Sequence, residues 1–177
     1  MDMAYDMSKF STPDSTTKWL KEWSAQQYGD KVAGKTAQIM STYGKLILRR
    51  KYEFLNNRPF AYSVSNYDEA EYNLKEWSDL LVETQKVYDG LDAATQIPYF
   101  EMVLHPVLAG KTVLEIYTQA SMNALYSQQK RQSTNQLASQ VQTAYRADSS
   151  ITARFHGLVN GKWNHMMDQV HLGYTNW

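Results

Sequence analysis

Residues 67–88 read YDEAEYNLKEWSDLLVETQKVY. Tyr67, Ala70, Leu74, Trp77, Leu81, Thr84 and Tyr88 recur at alternating spacings of three and four. That period draws one stripe along a helix lying nearly parallel or antiparallel to its neighbours. Asp68, Glu69 and Glu71 crowd the expected first turn, where the positive end of a helix favours carboxylates, and Gly90 supplies the stop. A single amphipathic helix cannot bury its own stripe, so this segment calls for other helices around it.

The neighbouring sequence supplies them. On the N-terminal side, Thr12-Pro13-Asp14 reads as a helix start, with a hydroxyl cap, a proline at the first helical position and an acid beside the dipole. That helix is expected to run to about Tyr28 with Trp19, Leu20 and Trp23 on one face, Gly29 as its stop and Asp30 as the cap of the next. The second helix spans about Lys31–Arg49, with Val32, Thr36, Ile39, Tyr43 and Leu46 inward, before Asn56-Asn57-Arg58-Pro59 breaks the pattern. On the C-terminal side, a helical stretch covers about 93–129. Pro98 is read as falling in its first turn, and Pro106 predicts a kink or break near His105. A last long helix is expected over about Ser133–Ala147 with Leu137, Val141 and Ala144/Tyr145 inward, then a short turn at Ile151–His156. No alternating strand pattern or hairpin signal occurs. The fold class is therefore all-α: a bundle of about five helices with a short irregular C-terminal tail. Its organisation is a lead-in at 1–11, the bundle at 12–157 and the tail at 158–177.

Composition narrows the function. A chain of 177 residues is long enough to bury a core without staples. Lys+Arg and Asp+Glu balance at 18 each, so no basic field exists to hold nucleic acid. No apolar run reaches the length of a membrane span, and MDMAYDMSKF lacks the pattern of a secretory signal. There is no cysteine, which removes disulfides and thiolate metal sites. The 13 Tyr and 5 Trp fit either amphipathic packing or stacking on pyranose rings, and packing is the commoner use.

The densest block of chemistry is the tail, Gly161–Trp177, GKWNHMMDQVHLGYTNW. His165, Asp168 and His171 are competent metal ligands. On a regular helix, however, residues three and six apart spread over about a third of the circumference, so the spacing argues against a metal centre. The remaining acids sit mostly where caps and dipoles explain them, and Asp6 and Asp168, in aromatic surroundings, have no partner identifiable from sequence. Arg49-Arg50-Lys51 matches the cation preference of a helix C-terminus. Arg49 and Arg50 are weak candidates for clamping a carboxylate. Nucleophile-elbow, phosphate-loop and dinucleotide motifs are missing, as is any N-glycosylation sequon.

The tail resembles the segment that follows the helical domain in glycoside hydrolase family 115, the xylan α-glucuronidases. Arg49-Arg50-Lys51-Tyr52-Glu53-Phe54-Leu55 is similar to that family's RRK-x-E-x-L segment, and Tyr62-Ser63-Val64-Ser65-Asn66-Tyr67-Asp68-Glu69-Ala70-Glu71 to its Y-S-x-x-N-Y-x-E-A-E segment. Leu104-His105-Pro106-Val107 sits where the family has Leu-aromatic-Pro-Val, and Asp2-Met3-Ala4-Tyr5-Asp6 resembles the close of a preceding barrel domain.

The resemblance implies one helical piece of a large secreted enzyme, with a catalytic barrel before it and β-rich regions after it. The implied reaction is inverting hydrolysis that releases (4-O-methyl)-glucuronic acid from xylan side chains by an acid and a base. It implies no cofactor or metal. The carboxylates would come from the barrel, so no catalytic residue is assigned in this chain. Trp163, Asn164, His165, Asp168 and His171 are expected to support the junction with the adjoining domains. The implied partners are those domains and a xylan-type polysaccharide; no nucleic acid or membrane is expected, and a homodimer is left open. The alternative is a free-standing helical module that binds a partner or glycan without catalysis. A fragment predicts an exposed apolar patch and a poorly anchored Trp177, whereas a free-standing module predicts that both ends are buried.

Overall fold

A computed structural model describes residues 2–50 and 62–173. Trp177, the Asn56–Pro59 breaker and the part of the Arg49–Leu55 segment from Lys51 onward lie outside the described residues. Among the described residues the architecture is all-α, with no strand. The elements are α1 (Asp2–Tyr5), a 3₁₀ turn (Met7–Phe10), α2 (Ser15–Tyr28), α3 (Asp30–Arg49), α4 (Glu69–Asp89), α5 (Ala93–Tyr99), a π turn (Phe100–Leu104), α6 (His105–Gln128), α7 (Thr134–Gly157) and a 3₁₀ turn (Leu158–Gly161). Five of these helices are long, and an irregular tail follows, as the sequence predicts.

α2 and α3 form a hairpin about Gly29 (φ 89°), a left-handed position suited to glycine. α4 lies against α3 and α6, and α7 packs along α6. The central rod is α5, the π turn and α6. Tyr99, Phe100, Leu104, Val107 and Val113 are its fully buried large side chains. Ile39 and Leu46 from α3, Trp77 and Leu80 from α4, and Phe155 from α7 close around the rod. Each such side chain contributes about 1.5–3 kcal/mol when removed from water.

Several local expectations are corrected. Pro106 neither breaks nor ends the helix. A proline ring clashes with the carbonyl four residues back and offers no N–H. Here the preceding turn widens instead, and the His105 N–H donates to the Phe100 carbonyl five residues back. Pro98 is the sixth residue of α5, past the first turn; the cap is Asp92, whose Oδ1 accepts from the amides of Ala94 (3.0 Å) and Thr95 (3.1 Å). At α2 the carbonyl of Thr12, not its hydroxyl, accepts from the Ser15 amide and hydroxyl, so the helix starts at Ser15. Asp30 opens α3 without a side-chain capping bond. Tyr67 leaves the stripe: it and Asp68 adopt left-handed backbone ahead of α4, and its ring is fully exposed.

The largest correction concerns α7, which continues unbroken to Gly157 rather than stopping at Ala147. Asp148 occupies the inward stripe of this helix after Leu137 and Ala144, and Phe155 follows it. Tyr145 faces outward, at 61% exposure.

The π turn places Leu104 at the centre of the rod with no exposed surface. Replacing Leu104 by Ala is expected to cost about 2–5 kcal/mol in urea unfolding, with an unchanged denaturant slope. A loss of less than about 1 kcal/mol would show that the rod is not the mechanical centre of the core.

Candidate functional site

Beyond α7 the chain reverses. Val159 (φ 50°), Asn160 (φ 56°) and Gly161 (φ 80°) are successive left-handed residues, costly for a β-branched valine, and they turn the tail back across the helices. Trp163 and Met167 then pack against the core cluster, and Lys162 sits over the Trp163 ring. The Met167 N–H donates to Nε2 of His156 (3.1 Å), which uses the lone pair of that nitrogen. Further along, His171 meets Asp148 of α7, and the Gly173 N–H donates to the Tyr117 hydroxyl of α6 (3.1 Å).

The His171 contact is the most specific of these. Its Nε2 lies 2.9 and 3.0 Å from the two oxygens of Asp148, and its Nδ1 lies 3.1 Å from the Gln169 carbonyl. Acceptors on both ring nitrogens favour the doubly protonated imidazolium. Its pKa is accordingly raised, first by the Asp148 bond and then opposed by burial.

The tail roofs a cavity of about 290 Å³ between α6 and α7. Ala109, Val113, Ile151 and Met167 supply apolar wall, Met166 and Val170 are exposed at its edge, and His105, Asp148 and His171 supply the polar end. His105 is buried against Phe155 (ring centroids 4.7 Å) and Phe100 (5.9 Å). Burial, with His171 nearby, pushes its pKa down to about 4.

The residues singled out in the sequence distribute as follows. Trp163 is half-buried and Asn164 is exposed. His165 pairs with Asp168 at the surface, Nδ1 to Oδ2 2.6 Å. His171 lies apart with Asp148, so the three polar tail residues form two clasps rather than one cluster. Among the described residues no group of three His or acidic side chains could hold a metal ion. Arg49 does grip a carboxylate, but that of Glu76 on α4, and it also donates to Asn73 Oδ1 (2.9 Å). Arg50 is exposed at the end of α3. Asp6 accepts from the Ser8 amide (3.1 Å) and hydroxyl (2.5 Å), which caps the first 3₁₀ turn. Sequence reasoning missed Asp148, His105 and His156. The spacing Leu137, Ala144, Asp148, Phe155 was the available signal for Asp148, since an acid on an apolar stripe needs a cation beside it.

A second concavity, an open cleft of about 640 Å³, lies at the other end of the chain among Asp2, Tyr5, Asp6, Lys9, Trp19 and Glu22. Asp2 Oδ2 accepts from the Trp19 indole N–H (2.7 Å), and Trp19 stacks on Trp23. Met3, Tyr5, Met7 and Trp19 expose apolar surface around it.

Comparison with known proteins places this geometry. Residues 1–54 match the family model described as Glycosyl hydrolase family 115. A solved structure described as a novel family GH115 4-O-methyl-α-glucuronidase, BtGH115A, with specificity for decorated arabinogalactans, shares the fold: TM-score 0.73 at 24% identity over 94% of this chain. The chain spans 22% of the length of that neighbour. A search of the curated proteins returns no match. The family match and the shared fold together bear out the resemblance to glycoside hydrolase family 115 read from the sequence.

Buried His105 and half-buried His171 make opposite demands on pH. The raised pKa of His171 gives tail anchoring that is fully present below the unfolded value of 6.5 and is lost as pH rises through the folded value. The depressed pKa of His105 gives stability present above 6.5 and lost as pH falls towards about 4. Amide exchange at Gly173 is therefore expected to lose protection above neutral pH while global stability is retained. His171→Ala should remove that pH dependence; a Gly173 profile unchanged in the variant would refute the anchoring role.

Proposed function

We propose that this chain is a helical accessory region of a glycoside hydrolase that releases (4-O-methyl)-glucuronic acid from polysaccharide side chains, with the reacting carboxylates supplied by another part of the same polypeptide. The observation that carries this reading is the family match over residues 1–54, joined to a fold shared with a GH115 4-O-methyl-α-glucuronidase along 94% of the chain. The implied activity is inverting hydrolysis of an α-1,2 bond on xylan outside the cell. The arabinogalactan specificity in the neighbour's description makes a decorated arabinogalactan the second substrate to try.

The electrostatics support an accessory role. An inverting glycosidase opposes two carboxyl groups roughly 6.5–9.5 Å apart, one kept protonated as the acid and one ionised as the base. The carboxylates of this chain with described partners are engaged structurally: Asp92 caps α5, Glu76 holds Arg49, Glu83 pairs with Lys35, and Asp148 and Asp168 clasp the tail. In the N-terminal cleft, Asp2 is bound to Trp19 and Asp6 to Ser8.

The surfaces support contacts on two sides. Met3, Tyr5, Met7 and Trp19 form the apolar face on which we place the catalytic barrel. The tail clasps hold Met166 and Val170 outward, at 57% and 61% exposure, as the junction with a following region. Trp163, His165, Asp168 and His171 support that junction by fixing the tail rather than by doing chemistry.

The test compares acid-sugar release from glucuronoxylan and from a decorated arabinogalactan. The 177-residue chain is expected to release none, and the same sequence within a polypeptide that includes the barrel is expected to release (4-O-methyl)-glucuronic acid. Release by the 177-residue chain alone would overturn the assignment of the reacting groups to another region.

A further inference from the structure

The tail-roofed cavity holds a feature that packing does not explain. His105 is 8% exposed, and no hydrogen bond to its imidazole is described; Phe100 and Phe155 flank its ring, and it shares the cavity wall with Asp148 and His171. The cavity it lines, about 290 Å³, falls just below the usual range of ligand pockets and suits a single small ring. Its mouth, between Met166 and Val170, reaches solvent.

We propose that this cavity is a binding site for a small neutral aromatic alcohol or phenol, whose ring lies between Val113, Ile151 and the two methionines and whose hydroxyl bonds to His105. Each part of that choice follows from the walls. Met166 and Met167 are adaptable thioethers that favour aromatic rings. The His105 imidazole is neutral near pH 7, since burial holds its pKa down to about 4, so it offers one donor and one acceptor. A hydroxyl satisfies either nitrogen, whichever tautomer is present. Charged ligands are disfavoured because the one carboxylate at the polar end, Asp148, already has its cation in His171. The site shares the Met166–Val170 edge with the junction proposed above, and binding of the probes to the 177-residue chain tests it without depending on that junction.

Occupancy has a structural consequence, because half of the lining belongs to the tail. A ligand there adds contacts to Met166, Met167 and Val170 and so favours the closed tail.

The test uses phenol, benzene and benzoate as probes of the 177-residue chain at pH 7, followed through the imidazole resonances of His105 and amide exchange at Met167. Phenol is expected to bind saturably, to shift the His105 signals and to slow Met167 exchange. One added hydrogen bond predicts phenol binding about 3–10-fold tighter than benzene. Benzoate should bind more weakly than either. His105→Phe keeps the ring volume and should lower phenol to the affinity of benzene. If phenol and benzene bind equally to the unmodified protein, hydroxyl recognition by His105 is wrong. If no probe binds, or if water alone occupies the cavity, the site itself is wrong.

Discussion

The structure depends on a constraint imposed by Pro106. A proline at the fourteenth residue of a helical run would ordinarily end or bend it at the cost of about 3 kcal/mol. The π turn over Phe100–Leu104 absorbs the missing donor and the bulk of the ring, and the helix continues. Because it continues, Tyr99, Phe100, Leu104 and Val107 fall on consecutive inward positions of one rod, and the other long helices find a common partner. The same widened turn sets His105 against Phe100 and Phe155 and delivers its imidazole to the cavity under the tail.

Much of this was legible in the chain. The stripe from Ala70 to Thr84, the glycine between α2 and α3, and the inward Ile39 and Leu46 follow from period and punctuation alone. The misreadings share a cause. Sequence patterns treat a polar residue as an exit from the core, whereas a long-range partner can make it part of the core. Asp148, followed by two serines, looked like the end of α7; His171, 23 residues later, is what lets it remain inside. Pro106 was read as a kink or break because the accommodation lies in five preceding residues, Phe100–Leu104, whose identities carry no signal for it. Tyr67 looked like the first member of a stripe, but left-handed backbone at Tyr67 and Asp68 turned it out.

The tail was recognised as unusual for its composition, and the structure gives that composition a physical use. Its histidines and acid form pairs of different kinds, one exposed between His165 and Asp168 and one half-buried between His171 and Asp148. Surface pairs contribute little to stability, whereas a shielded pair with both ring nitrogens satisfied fixes position. Catalysis within the chain was not legible in the sequence, and Asp92, Glu76, Glu83, Asp148 and Asp168 are held in caps and ion pairs. The likeness to family 115 is what supports the proposal that the carboxylate chemistry is supplied from another part of the polypeptide.

The reversal at Val159–Gly161 has a mechanical consequence. Tail residues 167 and 171 meet α7 at 156 and 148, so the tail runs antiparallel to the helix it covers. Force applied at the C-terminal end would load these contacts one after another, in the geometry of a zipper, beginning at Gly173 and His171. Force applied along α6 and α7 would instead load their packed interface all at once. The tail is thus built to peel at low tension while the bundle beneath it resists.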